Sequence, residues 1–95
     1  MDNTAFPPWE AAGDETPAQK SEAFSVADRV VESFATKANG RIIERTYSIS
    51  KQWGRLLRAK IAFEYKGRPS TYLVACWYVS DSEVAIVTKQ ENGWQ

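Results

Sequence analysis

Four apolar segments, 41–50, 55–66, 71–80 and 83–90, are separated by connections of two to four residues, and that spacing leaves the second half of this chain little choice of topology. Connections this short cannot carry a crossover, so consecutive segments must pair antiparallel as a meander. Segment 55–66 alternates cleanly, with Leu57, Ala59, Ile61, Phe63 and Tyr65 on one face, whereas 71–80 is apolar nearly throughout. The remaining two carry Ile42, Ile43, Tyr47 and Ile49, and Val84, Ile86 and Val87. Turn residues mark the joints: Lys51-Gln52-Trp53-Gly54, Lys66-Gly67-Arg68-Pro69 and Asp81-Ser82.

Ahead of them the period changes to that of a helix. Phe24, Ala27, Val31, Phe34 and Ala38 recur at three- and four-residue steps, widened by Val30 and Ala35, and Asp28, Arg29, Glu32, Ser33 and Lys37 fall largely off this stripe. Thr16-Pro17-Ala18-Gln19 has the pattern of a capping box, with later starts at Ser21 or Ser25 as alternatives. Asn39-Gly40 stops the helix, glycine supplying the left-handed position of a C-cap. The expected fold class is α+β: one N-terminal helix packed across a four-stranded antiparallel meander, α-β-β-β-β.

Over residues 17–90 this order resembles the cystatin-like arrangement, in which a helix is wrapped by an antiparallel sheet. Gln52-Trp53-Gly54 falls at the first hairpin, where cystatins carry a Gln-x-Val-x-Gly loop, and Asn92-Gly93-Trp94 follows the last segment. The Val and final Gly of that loop are not at this spacing, and the second hairpin holds no Pro-Trp. The resemblance implies a fold and no inhibitor residues.

Register decides what the sheet face opposite the helix displays. With Gly67 in the left-handed position of a three-residue loop, Glu64 pairs with Arg68, and Leu57, Ala59, Ile61 and Phe63 share the helix side with Leu73, Ala75, Trp77 and Val79. A two-residue turn at Asp81-Ser82 adds Val84 and Ile86 there. The open face then holds Arg58, Lys60, Ala62 and Glu64 beside Tyr72, Val74, Cys76 and Tyr78, then Ala85, Val87 and Lys89. Moving the Gly67 turn by one residue exchanges the two sets on 71–80 and brings Trp77 to the open face. In the first segment, the parity that buries Ile43, Tyr47 and Ile49 also turns Arg45 inward, unless a bulge or an edge position intervenes.

Charge is uneven beneath a net of zero: −4 over 1–22, balance over 23–40, +6 over 41–68 and −2 over 81–95. The basic middle, interleaved with aromatics, suggests nucleic-acid binding through Arg55, Arg58, Lys60, Lys66 and Arg68. Against it stand a pI near 6.2 and the lack of any nucleic-acid motif. With no histidine and one cysteine, Cys76, chemistry built on His, and an internal disulfide, are excluded. No spacing marks a carboxylate pair as acid and base, and Asn39-Gly40 and Asn92-Gly93 are turns rather than phosphate loops. The expectation is no enzyme, no cofactor and no metal.

Residues 1–15 contain two prolines and four acids without periodicity and read as a flexible tail before a single domain over 16–95; the aromatics of Phe6-Pro7-Pro8-Trp9 read as grazing their own domain, with a short docking motif for a partner as the alternative. Met1-Asp2-Asn3-Thr4 lacks the basic and apolar regions of a secretory signal, and no apolar run is long enough for a membrane span. The reading is a small, soluble, cytoplasmic, non-enzymatic protein-interaction module. It binds a protein partner, or itself as a homodimer, through edge strands or an open face presenting Arg58, Lys60, Tyr72, Val74, Tyr78 and Val87. Nucleic-acid binding through the basic middle is the alternative.

Overall fold

The computed structural model describes residues 15–91. The tail expected over 1–15 lies outside the described residues, Glu15 excepted. Five antiparallel strands form one sheet in chain order: β1 (Thr16–Pro17), β2 (Arg41–Ser50), β3 (Gly54–Tyr65), β4 (Arg68–Ser80) and β5 (Glu83–Glu91). One helix, α1 (Ser25–Lys37), lies across it. The α+β class holds, with one strand more than expected.

The extra strand comes from the segment expected to open the helix. Thr16 and Pro17 instead pair with Ile49 and Ser48 at the edge of β2, a place where the missing N–H of proline costs no ladder bond. Ala18 N–H continues the contact to Tyr47 C=O at 2.9 Å. The helical region starts at the later serines. Ser21 caps a 3-10 turn (Glu22–Phe24), its hydroxyl accepting from Ala23 N–H at 3.2 Å, and α1 begins at Ser25.

At the far end, Gly40 N–H bonds Ala35 C=O and Asn39 N–H bonds Thr36 C=O, the paired bonds of a Schellman ending. The left-handed residue is Asn39 (φ 59°), not the expected Gly40. Gly40 is needed for a different reason: a Cβ there would stand 2.7 Å from Ile61 Cγ2 and 2.8 Å from Ala62 C=O. It lets the chain leave the helix close against β3.

The β3–β4 hairpin corrects the expected register. Lys66 (φ 53°) and Gly67 (φ 79°) are both left-handed and form a two-residue turn, so Tyr65 pairs with Arg68 and Glu64 with Pro69. One residue fewer in the loop turns β4 over. Tyr72, Val74 and Cys76 now sit beside Ile61, Ala59 and Leu57 on the helix side. Leu73, Ala75 and Trp77 lie on the second face, opposite Lys60, Arg58 and Leu56. A bulge at Val79 then shifts parity again, pairing Tyr78 with Val84 and Ser80 with Glu83, which returns Val84 and Ile86 to the helix side as expected.

A second bulge lies in β2, between the pairs Ile42–Ile61 and Glu44–Lys60. It leaves Ile43 51% exposed and turns Arg45 and Tyr47 toward the helix. The core between α1 and the sheet consists of Phe24, Ala27, Val31 and Ala35 against Leu57, Ala59, Ile61, Val74 and Cys76. Phe34 is only half buried at its margin.

Candidate functional site

On the helix side, the residues that the sequence assigned to an open binding face are part of the interior. Val74 is fully buried. The Tyr78 hydroxyl accepts the Ala27 backbone N–H at 3.1 Å, satisfying a donor in the first turn of a helix whose own N-cap, Phe24, offers no side-chain oxygen. Tyr72 stacks on Phe63 with ring centroids 4.2 Å apart and meets the edge of Phe34. Arg55 lies 4.0 Å above the Tyr78 ring and donates to Ala23 C=O at 3.0 Å, so this basic residue braces the start of α1.

A polar seam crosses the same side. Asp28, expected off the apolar stripe, is 6% exposed, because Arg45 and Tyr47 of β2 both point at it. Arg45 Nη1 and the Tyr47 hydroxyl donate to Asp28 Oδ1 at 2.5 and 2.9 Å, and Lys20 approaches Oδ2 at 3.8 Å. Burial, reinforced by the Asp28 carboxylate, pushes the Tyr47 phenol above its usual range. Every contact here closes on another side chain of the domain, so the seam acts as a fastener.

The second face carries Arg58, Lys60 and Val87, the part of the expected binding set that the structure does bring together. Arg58 Nη2 lies 2.6 Å from Glu15 Oε1 and Lys60 Nζ lies 3.6 Å from Glu44 Oε1. Lys66 and Arg68 stand at the β3–β4 turn. The five basic residues of the nucleic-acid reading are therefore divided among the helix side, the second face and a hairpin tip. Between Arg58 and β5 lies an apolar patch of Leu56, Ala75 and Trp77, flanked by Trp53, Ala85 and Val87.

The two sheet edges differ in the way that matters for strand addition. β2 is capped by a two-residue strand containing Pro17, a protected edge. β5 runs for nine residues with no proline, and among the described residues nothing pairs with its outer side. Next to it, a groove of about 340 Å³ opens between α1 and β5, lined by Val26, Val30, Phe34 and Ile86 with Arg29 and Lys37. Ile86 remains 38% exposed. The sequence had suggested edge strands in general; the signal for this one was Val84-Ala85-Ile86-Val87 without a proline, against Pro17 at the opposite edge.

Cys76 is fully buried, and burial, with the Asp28 charge behind it, pushes its thiol up to about 12. Among the described residues no group of three or more Cys, Asp or Glu side chains is placed to hold a metal ion. No helix there is long and apolar enough to cross a membrane. No family model, curated protein or solved structure matches this chain, so the likeness to cystatins rests on element order alone.

Proposed function

We propose that this chain is a non-enzymatic protein-interaction module whose docking element is the β5 edge, and that a second copy of the chain occupies it. The observation that carries this reading is the unprotected nine-residue edge beside an apolar groove, on a sheet whose other edge is capped. Antiparallel pairing of β5 with its own copy about Ile86 sets Lys89 of one copy opposite Glu83 of the other, twice, with Val84 opposite Thr88 and Ala85 opposite Val87. Pairing about Val87 would instead oppose Glu83 to Glu91, a like-charge contact. The first register places two exposed Ile86 side chains together and brings both helices to one side of a continuous ten-strand sheet. A cytoplasmic location belongs to the same proposal, supported by a chain with one deeply buried cysteine and no disulfide.

Sedimentation of the full chain at tens of micromolar tests it. A dimer is expected. Ile86→Lys and Lys89→Glu each weaken it at least tenfold, and the exchange Glu83→Lys with Lys89→Glu restores it. A monomer of 10.7 kDa, or a dimer indifferent to these substitutions, overturns the reading. So does affinity for single-stranded nucleic acid that falls steeply with salt, which would favour the basic residues instead.

A further inference from the structure

The groove beside β5 gains a second wall when two copies pair. α1 sits over β3 and β4, its Ala27 and Val31 in one core with Ala59, Ile61, Val74 and Cys76. β5 therefore extends beyond the helix, with Val84, Ile86 and Thr88 on the helix side. Residues directly opposite in an antiparallel pair share a face. In the register about Ile86, that side of the joined sheet carries Ile86 against Ile86 and Val84 against Thr88, with one α1 standing on either side.

The width of this cleft singles out one kind of occupant. The midline of β3 and β4 lies four strand spacings from that of the second copy, ~19 Å. Two helix-to-helix packing distances amount to ~16–20 Å. A third helix fits between the two α1 helices and touches both, whereas a single hydrocarbon chain is too thin to do so. An extended peptide would need partners for its backbone N–H and C=O groups, and the cleft offers only Ser33 and Thr88 as uncharged polar side chains. A helix satisfies its own.

Charge selects the sign of that helix. The flank of α1 lining the groove carries Arg29 and Lys37 and no acid. Asp28 and Glu32 point the other way, and both bind Arg45. Neither Arg29 nor Lys37 has an ion-pair partner among the described residues. In the dimer each wall thus presents two unpaired cations above Val26, Val30 and Phe34. Resting on the β5 dimer, we propose that the cleft between the two α1 helices binds an acidic amphipathic helix of a partner protein, one per two chains. The apolar stripe of that helix lies on the Ile86 pair, and its acids flank the stripe on both sides to meet Arg29 and Lys37 of each copy.

The probe is a fluorescein-labelled peptide of ~18 residues, with leucines at three- and four-residue steps and glutamates flanking them. Fluorescence anisotropy with the full chain is expected to show saturable binding at one peptide per two chains. The same peptide with lysine in place of glutamate does not bind. Arg29→Gln combined with Lys37→Gln, both at exposed positions, weakens binding by about tenfold while sedimentation still shows the dimer. Four results overturn the cleft and leave the dimer standing: no binding of the acidic peptide by a sedimenting dimer, equal binding of the lysine peptide, one peptide per chain, or undiminished binding by the double variant. A monomer by sedimentation overturns both.

Discussion

Arg45 Nη1 meets Asp28 Oδ1 at 2.5 Å across the seam between β2 and α1, and this pair lets a strand turn an arginine toward the interior. Asp28 has few other partners: the Tyr47 hydroxyl and a long contact to Lys20. Arg45→Ala therefore leaves a carboxylate nearly out of water, and denaturant unfolding should register a loss of about 3 kcal/mol. Asp28→Ala should be costly too, while the double substitution costs clearly less than the sum of both. Additive losses would show that the two residues act independently.

Stability should fall on the alkaline side, and Cys76 should be a main cause. Its folded pKa is about 12 against an ordinary 9.0. Between these values the unfolded chain has lost the proton and the folded chain keeps it. The contribution is thus complete below pH 9 and lost as pH climbs toward 12, with a slope approaching about 1.4 kcal/mol per pH unit. Tyr47, raised from 10.0, adds in the same direction. Cys76→Ala should flatten the slope, and the native thiol should resist alkylation at pH 8. An unchanged slope would sink the assignment.

The two phenylalanines of the helical region should differ in weight. Phe24 is 2% exposed and meets Tyr47 and Tyr78 edge-on, so Phe24→Ala should cost about 3–5 kcal/mol. Phe34, expected from the stripe to be equally deep, lies half open over the α1–β5 groove, and Phe34→Ala should cost about 2 kcal/mol. Exposed Lys37→Ala should be nearly neutral. Equal losses at Phe24 and Phe34 would contradict this seating of the helix.

The helix and four of the five strands were legible because local patterns decide them: alternation in β3, the three-and-four spacing of α1, and turn residues at each joint. The strand β1 was not, since Thr16–Pro17 is two residues long and becomes a strand only by pairing with Ile49 and Ser48. The expected bounds 41–50 for β2 and the start of β5 at Glu83 coincide with the structure. Facing was not legible, because it depends on counting residues through turns and bulges. The loop at Gly67 is one residue shorter than the charge pair Glu64–Arg68 suggested, and Val79 inserts one residue in the next strand. The two departures cancel for Val84 and Ile86 but not for Tyr72, Val74 and Tyr78. Asp28 was missed for a related reason: its burial depends on Arg45 and Tyr47, 17 and 19 positions away.

Two valines separate the observed register from the one that the sequence favoured. In that register Val74 stands on the open face and Val79 packs under the helix. In the structure Val74 is wholly buried among Ala59 and the helix residues, and Val79 is 59% exposed at its bulge. Val74→Glu should therefore drive a carboxylate into the core and cost roughly 4 kcal/mol or more, enough to unfold much of the population of a domain this small. Val79→Glu should stay within about 0.5 kcal/mol of the parent, since its side chain already meets water. Thermal unfolding of the two variants, each below the concentration at which chains associate, reads the difference directly. A folded Val74→Glu beside a collapsed Val79→Glu would restore the three-residue loop at Gly67 and return Tyr72 and Tyr78 to the second face.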